Sequence, residues 1–359
     1  MKAGASDLLR LVKPSKLIIP ILLGLGAAGY MLFRSFDIKD FGNIHWDWHT
    51  TFWLLLALLM VVIRDAAYMV RIRILTDKEL GWQKCFEVIM LWEFASAIAP
   101  AILGGGFAFA ILIIHKEKIS FGKSISVVLF TSFLDGLFFA LIGPLVYFIA
   151  GREGLFSNIS PNAIHQLSHG RELYFTFWTI YFIILAYKLL IGYALFVNAH
   201  AVKHFLTKVF SFGLLKKWKS NAIETGEEMV IASRQLQGKS LSYWLKSFAA
   251  TCVSWSARFI IINCIIMAFS SVSFNHFLLY ARQVVIGILM IGSPTPGGSG
   301  VAELMFSQFL GEFIDNQSMT SSLAILWRLI SYYPYLFIGA IVLPRWVNRV
   351  FKKDEILQD

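Results

Sequence analysis

This chain has little charge. Asp, Glu, Lys and Arg make up 15% of its 359 residues, hydrophobic residues 57%, and the mean hydropathy is +0.66. Soluble domains carry about 25% charged residues, so too few are present to cover a water-facing surface. Disorder needs the reverse composition and is excluded as well. Long polar stretches are missing. Apolar runs fill both halves of the chain, which excludes a soluble enzyme with a membrane tail and leaves no region for a large appended catalytic domain. Cysteine is scarce. Cys85, Cys252 and Cys264 are odd in number, widely spaced and in or beside apolar runs, so neither a disulfide framework nor a zinc site is expected. No H-E-x-x-H pattern occurs. His165/His169 and His200/His204 stand at i, i+4 in polar connectors, and no metal or cofactor is expected. Gly24 to Gly29 fits G-x-G-x-x-G inside an apolar helix with no strand before it, which reads as close helix packing. What remains is an all-α polytopic membrane protein.

A crossing helix needs about 20 mostly apolar residues. Six stretches qualify: 17–36, 51–74, 124–150, 173–199, 243–270 and 320–343. The first is longer than a signal-peptide core and lacks an A-x-A site, so it reads as a retained helix. Two further apolar stretches are broken. The stretch 85–115 is interrupted by Pro100 and Gly104-Gly105-Gly106, and 277–313 by Pro294-Thr295-Pro296-Gly297-Gly298-Ser299-Gly300. Their flanks are short for a span and suit the arms of re-entrant hairpins.

The net charge of +10 orients the chain rather than implying nucleic acid, which is not an expected partner. With a cytoplasmic N-terminus, most basic residues fall inside: Lys2 to Lys16, Arg71 to Lys84, Lys116 to Lys123, Lys203 to Lys246 and Arg345 to Lys353. Only Arg34, Lys39, Arg152 and Arg171 fall outside. The positive-inside rule thus favours hairpins over eight simple crossings and predicts cytoplasmic termini. Residues 17–150 and 173–343 each run span, span, hairpin, span, so the chain reads as one membrane domain of two inverted repeats, a transporter signature. Between them, Val202, Phe205, Leu206, Val209 and Phe210 at helical spacing beside Lys203 and Lys208 suggest an amphipathic inner-leaflet helix within 200–240.

Intramembrane charges are costly and point to function. Arg64 and Asp65 lie in the second span, Glu93 in the first hairpin, Asp135 in the third span and Arg258 in the fifth. Arg282 and Glu303 belong to the second hairpin and Arg328 to the last span, while Lys188 ranks lower. They either converge on a polar cavity or pair, for instance Arg64 with Glu93 or Arg328 with Asp135. Arginine forks and helix N-termini at the two tips suit a phosphate, with Thr295 and Ser299 as hydroxyl donors.

The run Pro294-Thr295-Pro296-Gly297-Gly298-Ser299-Gly300-Val301-Ala302-Glu303 resembles the P-x-P-G-G-x-G-x-x-E signature of the lysylphosphatidylglycerol synthase transmembrane (flippase-like, UPF0104) family. Glu93 to Pro100 with Gly104-Gly105 and Asp135 resembles its earlier block, and Arg328 with Pro334 and Gly339 its last-helix pattern. After Gly105 the chain departs from the family: Gly106-Phe107-Ala108-Phe109 is apolar where relatives often carry a polar residue. The resemblance implies translocation of an anionic or aminoacylated phospholipid, or another lipid-linked phosphate, in the cell membrane. Aminoacylation is not expected, since the chain stops soon after its last span. The alternatives are a membrane-embedded enzyme acting on a lipid-linked phosphate and a non-transporting partner of a separate lipid synthase. Composition and spacing say nothing of oligomeric state.

Overall fold

The computed structural model describes residues 46–98, 106–156, 170–209, 211, 219–270, 273–293, 295, 297–315 and 319–355. The expected span 17–36, the tip residues Pro100, Gly104, Gly105, Pro294 and Pro296, and His165 and His169 lie outside these. The described chain is helical, with no strand among the described residues: α1 (Trp48–Leu75), α2 (Trp82–Ile98), α3 (Phe107–Lys116), α4 (Phe121–Phe156), α5 (Gly170–Phe196) and α6 (Ala199–Val209) come first. They are followed by α7 (Lys219–Leu236), α8 (Leu241–Phe269), α9 (His276–Met290), α10 (Val301–Leu310), α11 (Thr320–Ser331) and α12 (Tyr333–Glu355). Among the described residues five helical stretches are long and apolar enough to cross a membrane, the last running from α11 into α12, and they fall on the five expected spans within this range. Their outward faces are apolar, as Leu55, Val62, Phe148, Ile183 and Leu189 illustrate. An exposed apolar belt of this extent marks a lipid-facing surface, and the protein is a multi-pass membrane protein.

Local chemistry sets the helix ends. Asp47 caps α1, its carboxylate accepting from the Thr50 amide at 2.8 Å. Asn275 caps α9 through the Leu278 amide at 3.0 Å. Pro144 interrupts the α4 ladder, leaving the carbonyl four residues earlier, Ala140, without its usual donor. The Tyr181 hydroxyl donates to that carbonyl at 2.9 Å. The expected last span 320–343 is instead two helices with a break at Tyr332; Pro334, in the first turn of the second helix, has no N–H to bond back across the junction.

Helix α1 lies antiparallel to α8. Thr50 Oγ1 donates to the Ala268 carbonyl at 3.0 Å near one end, and the Tyr243 hydroxyl to that of Leu75 at 3.5 Å near the other. The outer ends of α2 and α3 lie on one face, where buried Glu117 is ringed by Lys84, Trp346 and Arg349. Nearby, Asp77 and Glu79 bind Lys123, and Asp77 also binds Lys239. The outer ends of α9 and α10 lie on the opposite face, where Phe274 packs on Phe313 and Ser270 donates to Asp315. The inner end of α2 packs on the junction of α11 and α12: Tyr332 donates to the Ala97 carbonyl at 2.9 Å, and Phe94 fills the space over Gly339. The connector is more structured than a single amphipathic helix. Helix α7 packs on α6 so closely that any side chain at Gly226 would overlap Lys203; Val202 is buried there, whereas Phe205 is exposed.

Candidate functional site

The charged face of α1 is read at helical spacing. Arg64, Tyr68 and Arg71 stand at i, i+4 and i+7 and point the same way. Arg64 is 1% exposed and bonds Asp65 at 3.0 Å, under a ring of Tyr335 whose hydroxyl donates to the same carboxylate at 2.7 Å. Arg71, read from sequence among the basic residues of an inner connector, is buried and pairs with Asp135 at 2.6 Å. Trp255 Nε1 also donates to Asp135 at 3.0 Å. From α8, Arg258 reaches Glu93 and the Tyr68 hydroxyl, both at 3.4 Å.

At the second broken pair, the tip demands glycine. Gly297, Gly298 and Gly300 have φ of 55°, 68° and 83°, a region that costs other residues. A side chain at Gly297 would overlap the Tyr332 ring, and one at Gly298 the Met290 methyl. Glu303 closes the first turn of α10, accepting from the Gly300 amide at 2.6 Å, and pairs with Arg328 at 3.1 Å. Arg328 also donates to Ser299 at 3.1 Å and lies 3.6 Å over the Tyr332 ring.

Two cavities meet at this constellation. The larger, about 300 Å³, has a mainly apolar wall that includes Ile262, Ile286 and Trp327 and a polar end formed by Arg64, Glu93, Arg258, Gln283 and Arg328; Gly297 and Gly298 also line it. The smaller, about 200 Å³, is lined by Tyr68, Arg71, Asp135, Trp92 and Phe107. Glu93, Ser96, Trp255 and Arg258 line both. Of the residues expected from sequence, Arg64, Glu93, Asp135, Arg258, Gly297, Gly298 and Arg328 therefore converge, with Ser299, Gly300 and Glu303 attached through Arg328. Thr295 instead bonds Ser293 at 3.1 Å. Arg282 lines neither cavity. It is 1% exposed, donates to the carbonyls of Gly154 and Phe309 at 2.9 and 2.8 Å, and pairs with Glu312 at 2.7 Å. It fastens α4 to α10. Sequence reasoning left out Arg71, Trp255, Tyr332 and Tyr335 as site residues; the α1 spacing was the available signal for Arg71.

The pairing differs from the one expected. Arg64 takes Asp65, Arg71 takes Asp135, Arg258 takes Glu93 and Arg328 takes Glu303. Of these pairs Arg258–Glu93 is the longest, at 3.4 Å. The Nε atoms of Arg258 and Arg328 are both buried with no hydrogen-bond partner among the described residues. Such donors are expensive to leave unpaired, and Arg258, with the longer ion pair, has less attraction to replace when it takes an anion.

The model of the lysylphosphatidylglycerol synthase TM region matches residues 17–339. The chain belongs to this family. A UPF0104 membrane protein of Archaeoglobus fulgidus is 26% identical over 303 residues, which are 80% of this chain and 85% of that protein. No solved structure matches the chain. The lysylphosphatidylglycerol synthase TM region match takes in α1 through α11 and both broken pairs, so the signature run from Pro294 to Glu303 belongs to the family, and its glycines have the conformational reason given above.

Proposed function

We propose that the chain is a lipid translocase: it moves an anionic or aminoacylated phospholipid, or another lipid-linked phosphate, between leaflets without altering it covalently. One observation carries this reading. Arg258 and Glu93 line both cavities, so a phosphate arriving from either side meets the same loosely held guanidinium. Arginine's planar fork suits phosphate oxygens, and the largely apolar wall of the larger cavity suits the lipid portion near the headgroup. In this reading α2/α3 and α9/α10 are re-entrant hairpins of two inverted halves. The antiparallel course of α1 and α8, and outer ends on opposite faces, support it. Alternate opening of the two cavities would expose the phosphate to each leaflet in turn. The basic connectors support a cytoplasmic setting for the face that carries them and for both termini, in the cell membrane.

The test is leaflet exchange of fluorescent phosphatidylglycerol in vesicles containing the purified protein. Arg258→Met is expected to slow exchange at least about tenfold, since a charged hydrogen bond is worth roughly 1.5–3 kcal/mol. Unchanged exchange would overturn the assignment. Mass spectrometry of the recovered lipid should show an unchanged mass; a new covalent product would favour the enzymatic alternative.

A further inference from the structure

The larger cavity carries an orphan acceptor as well as its arginines. Gln283 of α9 is 2% exposed. With Ile286, Gly287 and Met290 it forms a cavity-lining stripe on that helix, at i, i+3, i+4 and i+7. Its amide orientation is fixed. Nε2 donates to Asn263 Oδ1 at 2.7 Å and to the Leu279 carbonyl at 3.3 Å, so both of its hydrogens are used. Asn263 is fixed in turn, because its Nδ2 donates to the His276 carbonyl at 3.2 Å. A flipped Gln283 amide would set its oxygen against the Leu279 carbonyl, two acceptors face to face. Neither Asn263 nor Leu279 lines the cavity. What is left is Gln283 Oε1, buried and without a hydrogen-bond partner among the described residues.

The same cavity holds orphans of the opposite kind. Arg258 Nε and Arg328 Nε belong to lining residues and are buried donors with no hydrogen bond among the described residues, the second lying 3.1 Å from Glu303. A phosphodiester by itself offers acceptors only. It answers the guanidiniums and leaves Oε1 unpaired. A ligand that satisfies all three atoms joins phosphate oxygens to a hydrogen-bond donor. Arg258 and Asn263, which holds Gln283, stand five residues apart on α8, on the order of 7 Å along the axis. That is the scale of a lipid headgroup, not of an acyl chain. The fitting donor is a hydroxyl, because a neutral amide oxygen supplies no counter-charge for a buried ammonium.

We propose that Gln283 determines headgroup specificity: its carbonyl oxygen accepts from a hydroxyl on the headgroup of a lipid whose phosphate is held at Arg258. The lipid class is then a hydroxyl-bearing phosphodiester. This rests on the translocase reading for transport, but not for recognition. The discrimination comes from the lipid that lacks the hydroxyl, since it covers Oε1 and leaves it unpaired. Asn263 is a positioning residue that keeps the acceptor turned away from its own helix pair.

The experiment compares two lipids of equal charge, both labelled on an acyl chain, in vesicles containing the full chain. Phosphatidylglycerol has headgroup hydroxyls; phosphatidylethanol has none. Wild type should exchange phosphatidylglycerol about tenfold faster. Gln283→Met should bring phosphatidylglycerol down to the phosphatidylethanol rate and leave the latter unchanged. Asn263→Ala, which frees the amide, should shrink the ratio in the same direction and serves if Gln283→Met does not fold. A merely structural role would slow both lipids alike, so an unchanged ratio in the folded variants would overturn the proposal. Phosphatidylethanolamine exchanged as fast as phosphatidylglycerol, and equally slowed by Gln283→Met, would overturn the hydroxyl in favour of an ammonium. Native mass spectrometry of retained lipid separates the two readings. If wild type exchanges neither lipid but retains phosphatidylglycerol over phosphatidylethanol, and Gln283→Met loses that preference, the translocase reading fails and the recognition stands.

Discussion

Glu93 stands 3.4 Å from Arg258, the longest of the arginine–carboxylate contacts described within the bundle, against 2.6 Å for Asp135 and Arg71. The two pairs are neighbours around one cavity, yet one is tight and the other slack. A slack pair is the one a phosphate can open, because less attraction has to be replaced. Glu93→Gln should therefore strengthen retention of phosphatidylglycerol while slowing its exchange, as the anion no longer has a competitor that helps it leave. A native mass spectrum with more retained lipid and a lower exchange rate is the expected outcome; less retained lipid would refute it.

Arg282 is expected to act on stability. It is enclosed by Glu312 and two carbonyls away from both cavities. Removing one partner of a buried pair costs about 3–5 kcal/mol. Arg282→Met and Glu312→Gln should both melt earlier in detergent, yet exchange lipid at a near wild-type rate per folded molecule. A variant of normal stability with lost exchange would show that Arg282 belongs to the transport path.

The Tyr181–Pro144 relation can be tested as a cycle. Tyr181→Phe removes the donor to the Ala140 carbonyl and should lower stability by about 1–3 kcal/mol. With Pro144→Ala the α4 ladder can satisfy that carbonyl itself, so the same substitution should cost much less in that background. Equal losses in both backgrounds, measured by thermal unfolding, would exclude the connection.

The Gly297 notch holds the Tyr332 ring. Gly297→Ala introduces both an overlap and a disfavoured φ, each worth roughly 1–3 kcal/mol. Adding Tyr332→Ala should remove the overlap and leave the backbone strain, giving partial recovery in a thermal-shift measurement. Full recovery would mean the φ angle carries no strain.

Outside the spans, burial and then the neighbouring Glu224 raise the Glu228 carboxyl on α7 to about 7 from its usual 4.5, with Tyr187 close by. A raised carboxyl binds its proton more tightly in the fold than in the unfolded chain. Its contribution is complete below about pH 4.5 and is lost as pH rises through about 7. Between those values the melting temperature should fall more steeply for wild type than for Glu228→Gln. Parallel pH profiles would contradict the shift.

The sequence by itself determined the class, the spans within the described range and the family. Helix length and apolar composition are local quantities, and hydrocarbon permits few backbone solutions. It also marked the tip glycines at 297, 298 and 300, because positive φ and close approach leave other residues poorly accommodated. It could not tell one buried arginine from another. Arg64, Arg258 and Arg282 look alike in a hydropathy profile, while Arg71 looked like an edge residue and Lys188 a minor one. Only the tertiary structure decided that Arg282 fastens two helices, that Arg71 holds Asp135, that Arg258 faces both cavities and that Lys188 bonds Ser132. The reason is range: a charge's role in a low-dielectric interior depends on which opposite charge lies within a few ångströms. Arg258 and its partner Glu93 lie 165 residues apart in the chain.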